Sequence, residues 1–305
     1  MPPKSRRLRI TGCFAATAAL ITGMALSTGA PSTSGAASPI TAANPFRTGR
    51  TLIIPHGGGD GLYPENTMLA YDRTMAAGAD VVDVDVRSTA DGVLVAFHDA
   101  TLARTTNGTG KVEDKTYAQL AALDAGWTFT LAGKQPFRGK GVRIPTLQAV
   151  LRRFPRALVS LDLKDESMSM IAPTCALLRL LRRTSDVFVG SNSDAQILAF
   201  RTACPDVRTS ATMVDVYASR DARAANDRSF VPRAFVDQPP FRSDSGTELV
   251  SKDSLAYAHS KGIAILTWVV DNPADMRRLV SWGVDGIYTR RPDVLLSVLT
   301  SMGKR

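Results

Sequence analysis

The chain has 305 residues, 44% of them hydrophobic and 21% charged, with a formal charge of +9 at neutral pH. That size and apolar content exclude a chain too small to bury a full core, and suit one α/β barrel or two smaller domains; no linker divides it. The positive balance does not indicate a nucleic-acid partner, because four positive and no negative charges fall within the first 37 residues and their removal takes +9 to +5; the rest is spread over stretches such as Arg152-Arg153 and Arg182-Arg183, which read as solvated helix faces.

From the amino end, Lys4, Arg6, Arg7 and Arg9 precede an apolar run from Cys13 to Leu26, followed by small and polar residues ending in Gly35-Ala36-Ala37. This is the pattern of a secretory signal peptide over 1–37 and places the mature protein outside the cytoplasm. The run of about 14 residues falls short of the roughly 20 needed for a stable membrane span. Ser5-Arg6-Arg7 fits twin-arginine export as well as the general route, and Cys13 precedes the apolar run, so a lipoprotein is not expected. Cleavage would leave Cys175 and Cys204, an even pair for a possible disulfide or two buried thiols.

After a short linker over 38–50, one domain is expected over 51–300. Strands are predicted at Thr51–Pro55, Val81–Val86, Val93–Phe97, Leu158–Leu163, Val187–Gly190, Arg208–Met213, Ala234–Asp237, Ile263–Val270 and Gly286–Thr289, with a helix at Thr67–Ala77 and helical stretches between most of the later strands. Apolar strands alternating with helices predict a parallel sheet covered on both faces, and about eight of them over some 250 residues predict a closed (β/α)8 TIM barrel. Gly57-Gly58-Gly59 lacks the spacing of the phosphate loop that an open doubly wound sheet would carry. The segment at about 101–143, rich in glycine, breaks the alternation and reads as a long insertion over the barrel mouth.

Four polar clusters interrupt these apolar runs: His56 with Pro64-Glu65-Asn66-Thr67, Asp83-Val84-Asp85, His98-Asp99, and Asp162-Leu163-Lys164. Strand alternation puts Asp83, Asp85 and Arg87 on one face and Val84 and Val86 on the other. Two lumen-facing carboxylates repel and resist desolvation unless a cation lies between them, and oxygen donors alone favour Ca2+ or Mg2+. Asp162 adds a third carboxylate and Lys164 an ammonium to the same side. Of three histidines, His56 and His98 fall at strand ends, where barrel active sites are built, while His259 lies in a helical pattern and reads as a surface or packing residue.

Taken with Thr89-Ala90-Asp91-Gly92, Thr105-Thr106-Asn107-Gly108-Thr109-Gly110, Ile144-Pro145-Thr146-Leu147, Trp268 and Gly283-Val284-Asp285-Gly286-Ile287, these clusters resemble, in order and over about residues 51–294, a secreted bacterial form of the glycerophosphodiester phosphodiesterase family. The resemblance implies hydrolysis of glycerophosphodiesters to an alcohol and glycerol 3-phosphate. It also implies one divalent cation held by Asp83, Asp85 and Asp162, acid and base roles for His56 and His98, and a phosphate contact from Lys164. Glu65 and Asn66 would lie at the same rim, in the outer shell of the cation or bridging to it, and Trp268 would wall the pocket. Three positions depart from the family: Gly57 stands where an arginine usually grips the phosphate, and Asp83 and Asp162 stand where glutamate is usual. Arg87, or an arginine of the long insertion, is the expected replacement for the missing guanidinium.

Two other readings compete. One keeps the fold and acts, like a phospholipase D or C, on intact phospholipid or a teichoic-acid-type polymer; the other is a non-catalytic barrel that binds glycerol phosphates. A monomer is expected, with a small-molecule substrate as its partner.

Overall fold

A computed structural model describes residues 43–165 and 167–305. The expected leader over 1–37, with Cys13, lies outside the described residues. Among the described residues nine strands follow in order: β1 (Leu52–Pro55), β2 (Val81–Ser88), β3 (Leu94–Ala96), β4 (Leu158–Leu163), β5 (Val187–Ser191), β6 (Arg208–Thr209), β7 (Val236–Asp237), β8 (Ala264–Thr267) and β9 (Gly286–Thr289). The helices are α1 (Met68–Ala76), α2 (Tyr117–Ala121), α3 (Leu147–Arg153), α4 (Ile171–Leu180), α5 (Asp194–Ala203), α6 (Met213–Ala224), α7 (Lys252–Ser260), α8 (Pro273–Trp282) and α9 (Pro292–Ser301). Hydroxyl caps start several of them: Thr67 accepts from the Ala70 amide, Thr146 from Ala149, and Thr212 forms a reciprocal capping box with Asp215. That last cap makes Thr212 the N-cap and Met213 the first residue of α6, which is why β6 is shorter than the strand expected to Met213.

Eight strands run parallel in a ring. β1 pairs with β9, β9 with β8 and β8 with β7, while β2 pairs with β4, β4 with β5 and β5 with β6. A parallel bridge from Ser210 to Val236 joins β6 to β7. β1 meets β2 where the Asp80 amide donates to the Ile53 carbonyl at 3.0 Å and the Asp80 carboxylate accepts from the Ile53 amide at 2.8 Å. The result is a closed (β/α)8 barrel. β3 is the exception: it runs antiparallel to β2, with Val86 opposite Ala96 and Ser88 opposite Leu94. Only a tight turn, closed from the Gly92 amide to the Thr89 carbonyl at 2.9 Å, joins the two, far too little chain for a parallel crossover.

Helix-facing side chains of the strands, among them Val82, Val84, Val159, Leu161 and Val189, form the main core with Leu147, Leu178, Ile197 and Phe200. Within the ring, Leu52, Val81, Leu158, Phe188 and Val236 fill the floor at the strands' amino ends. Residues 43–50, expected as a linker, belong to this floor. Phe46 is fully buried there, edge-on to Phe188 with ring centroids 4.9 Å apart, and the Asn44 amide donates to the carbonyls of Phe235 at 2.7 Å and Gly262 at 3.1 Å.

The insertion between β3 and α3 has a small core of its own, Leu102, Val112, Leu120, Ala125 and Ile144 against Val95 and Phe97, and it brings Arg104 to the mouth of the barrel. Cys175 in α4 and Cys204 at the end of α5 are joined as a disulfide with Cα atoms 6.0 Å apart. Closing a loop of this size stabilises by about 3 kcal/mol in the chain-entropy model. Among the described residues no helix is long and apolar enough to cross a membrane.

Candidate active site

Register decides which groups meet at the carboxyl end of the ring. In the β2–β4 pair Asp83 lies opposite Ser160 and Asp85 opposite Asp162, so the valines and leucines between them face the helices and the polar residues face the lumen. Asp83 and Asp85 are both buried. The Asp83 carboxylate accepts from the Gly57 amide at 2.9 Å, and Ser160 lies opposite it on β4. Beneath it, Gln238 donates to the Tyr288 hydroxyl at 2.7 Å and Tyr288 to Ser160 at 3.0 Å. Asp85 accepts from the Asn66 side-chain amide at 2.7 Å and from Lys164, whose ammonium stands 3.1 Å from Asp85 Oδ1 and 2.5 Å from Asp162 Oδ2.

These placements separate the two acids. Burial and the negative charge of Asp85 push Asp83 up to about 6. Burial acts on Asp85 the same way, but Lys164, His98, the Asn66 amide and His56 outweigh it and hold Asp85 below the usual carboxylate range. Lys164 is raised in turn: burial works against its charge, and the carboxylates of Asp85 and Asp162 overcome it.

Both imidazoles arrive from outside this pair. His56 follows β1 in a single 3-10 turn, His56–Gly58. His98 follows β3, and the adjacent Phe97 amide donates to the Asp85 carbonyl at 2.9 Å, which ties that segment to the top of β2. The charges of both rings act on Asp85. His56 Nδ1 lies 3.3 Å from Asp60 Oδ2, and His98 Nδ1 lies 2.7 Å from Asp99 Oδ1. Burial lowers the His56 pKa, but Asp60 and the charges of Asp83 and Asp85 prevail and raise it to about 9.

Of the residues expected at the rim, Lys164 stands among the acids, and Trp268 follows β8 at the mouth, half-exposed, its indole N–H donating to the Gln238 carbonyl at 2.6 Å. Asn66 is a buttress: it is buried, donates to Asp85, and accepts from the Asp85 amide at 3.0 Å and the Tyr71 hydroxyl at 2.8 Å. Arg87 holds the His98 carbonyl at 2.8 Å and the Asp165 carboxylate. Arg104, from the insertion, clamps Glu65 and Asp99 together. Thus neither Arg87 nor Arg104, the insertion's arginine at the mouth, carries a free guanidinium; each serves the loop that bears His98. Position 57 has φ +52°, and its amide is spent on Asp83. His259 pairs with Asp285 at 2.8 Å, away from the site.

The sequence reading missed the Ser160–Tyr288–Gln238 chain below Asp83 and it missed Asp60, and it did not say which arginine of the insertion reaches the mouth. Asp60 carried one signal, its four-residue spacing from His56 across three glycines. The others depend on strand register and insertion geometry.

The donor chemistry suits a hard cation: the acids are oxygen donors, Asp83 and Asp85 stand together in a buried place, and burial with the charge of Asp85 raises the pKa of Asp83. Among the described residues no three ligating side chains are already grouped so as to hold an ion, because the Lys164 ammonium lies between Asp85 and Asp162.

A (β/α)8 barrel with buried acids and two imidazoles gathered at the carboxyl ends of its strands defines the class, a barrel hydrolase of phosphoric diesters. The chain belongs to the glycerophosphoryl diester phosphodiesterase family, whose pattern it matches over residues 56–294. It is 29% identical over 262 residues to the glycerophosphodiester phosphodiesterase of Bacillus subtilis, covering 82% of this chain and 86% of that one. The crystal structure of glycerophosphodiester phosphodiesterase from Agrobacterium tumefaciens superposes with a TM-score of 0.66 at 30% identity, over 81% of this chain and 99% of that one. An Oleispira antarctica phosphodiesterase, solved with its product sn-glycerol-3-phosphate, shares the fold with a TM-score of 0.66 at 20% identity, over 82% and 97% of the two chains.

Proposed function

We propose that this protein is a secreted, divalent-cation-dependent glycerophosphodiester phosphodiesterase that releases an alcohol and glycerol 3-phosphate. The observation that carries the reading is the buried Asp83–Asp85 pair, acted on by two imidazoles that each have a carboxylate at Nδ1. Asp83, Asp85 and Asp162 would hold Ca2+ or Mg2+, which when bound draws electron density from the phosphoryl oxygens. Lys164, kept protonated by its acids, would offer its ammonium to a non-bridging oxygen, and with Arg87 and Arg104 engaged elsewhere this cation takes the place of the missing arginine. His56, with its raised pKa, enters neutral solution as the imidazolium and gives its proton to the leaving alkoxide; His98 takes the proton of the attacking hydroxyl, whether from the substrate's glycerol or from water. Trp268 would wall the pocket. Secretion is supported by the leader pattern over 1–37 and suits a chain with a disulfide.

Enzyme collected from the medium of an expressing culture should release glycerol 3-phosphate from glycerophosphocholine in the presence of Ca2+ or Mg2+. Failure with every glycerophosphodiester offered would overturn the reading, turnover only of phospholipid vesicles would point to the phospholipase alternative, and protein retained in the cytoplasm would remove the secretion claim.

A further inference from the structure

Asp60 has no part in the mechanism above. It follows His56 by four residues, across a turn in which Gly57, Gly58 and Gly59 have φ of 52°, 87° and 92°. A Cβ on Gly58 would stand 2.9 Å from Ala70 Cβ, and one on Gly59 3.0 Å from Thr74 Cγ2, so this left-handed turn packed against α1 admits only glycine there without movement. The turn folds back on its own start: the Gly59 and Asp60 amides donate to the His56 carbonyl at 2.7 and 3.2 Å. From the other side, Gly61 donates to the Arg290 carbonyl at 3.2 Å, and a Cβ at Gly61 would meet that oxygen at 2.6 Å. Asp60 is thereby fixed between the ends of β1 and β9 with Oδ2 toward His56 Nδ1, and its Oδ1 is buried without a partner among the described residues.

We infer that Asp60 is the positioning residue of His56: its carboxylate holds the Nδ1 proton, so the ring turns Nε2 toward the mouth of the barrel. The inference rests on the reading of His56 as the proton donor. An imidazole whose Nδ1 is engaged by a fixed acid offers a reacting group only its other nitrogen, in one orientation. The second histidine supports the interpretation, since His98 meets Asp99 in the same way at 2.7 Å. The two arrangements differ in charge. Asp99 shares its negative charge with Arg104, whereas among the described residues no arginine or lysine is bonded to Asp60; Arg290, which senses it, is paired with Asp271 at 2.7 Å.

With only three histidines in the chain, the ring protons can be assigned by 15N–1H spectroscopy of the metal-free protein. The Nδ1 proton of His56 should exchange slowly with water in the wild type and become fast in Asp60→Ala. With a glycerophosphodiester and cation, Asp60→Ala should lower kcat by about 10–100-fold, the range found when a ring-orienting partner is lost, and leave KM within about threefold. Unchanged kcat in Asp60→Ala, or unchanged exchange, overturns the inference. If that variant does not fold, the wild-type spectrum decides: an Nδ1 proton exchanging as fast as in free imidazole overturns it equally. A wild type inactive on every such substrate defeats the functional reading alone, and the exchange measurement still tests the role of Asp60.

Discussion

Alanine in place of either His56 or His98 should lower kcat by about 10²–10⁴ while the protein stays folded. The fold is expected to survive because neither ring is core: their side chains keep 32% and 40% of their exposure, and each makes one side-chain hydrogen bond, to Asp60 and Asp99 respectively. The activity is expected to collapse because one proton must leave the attacking hydroxyl and another must reach the leaving alkoxide. The two losses should not add. If, as proposed, both rings serve one proton-transfer cycle, the double variant should be little worse than the poorer single one. The alkaline limb of the pH profile offers a further check on the assignment. His56 is protonated below its raised pKa, so kcat should fall as pH rises through that ionisation, at or below about 9, since a cation beside Asp83 and Asp85 weakens their pull on the ring. A near-wild-type kcat in both single variants would remove these residues from the chemistry.

Removal of divalent cations with a chelator should abolish turnover, and added Ca2+ or Mg2+ should restore it, with Asp83→Asn and Asp85→Asn both failing to recover. The sign of the pH dependence follows from Asp83. Its carboxyl is raised to about 6, so in the metal-free protein it is protonated below that pH and ionised above it. A cation needs the ionised form; affinity should therefore climb as pH rises through about 6 and level off beyond it, and binding at pH 5.5 should release a proton. Calorimetry in two buffers of different ionisation enthalpy measures that release directly. Full turnover in excess chelator, or cation binding that ignores pH across this range, would contradict the assignment.

Much of the barrel was legible because its strands are short apolar runs bounded by turn residues: Leu158–Leu163 and Gly286–Thr289 were read to the residue. What sequence could not show was direction. Val93–Phe97 has the composition of the other strands, and only the shortness of its connection to β2 marks it as an antiparallel partner. The alternation in Asp83-Val84-Asp85 correctly set valines against helices and acids against the lumen. It could not assign neighbours across strands. Asp162 therefore reads as a cation ligand and Lys164 as a separate phosphate contact, although the ammonium stands between Asp162 and Asp85. Arg87 shares the face of the acids and was expected to meet phosphate, yet β2 runs on to Ser88 and carries the guanidinium to the His98 carbonyl and Asp165.

Phe46 gives the barrel a stopper that precedes, in chain order, every stave it seals. Phe188, edge-on to it, and Val236, Leu266 and Tyr288 of the same buried cluster lie in the later part of the chain, and the first stave finds its last neighbour only when Leu52 meets Gly286. Contacts so distant along the chain carry a large loop-closure cost and form late. A nascent molecule thus keeps this ring in water until the final stave is made, a long vulnerable interval for an unfinished vessel. Pulsed hydrogen exchange should find the amides of Leu52 and Ile54 protected after those of Val84 and Leu161; simultaneous protection would mean that the vessel closes in a single step.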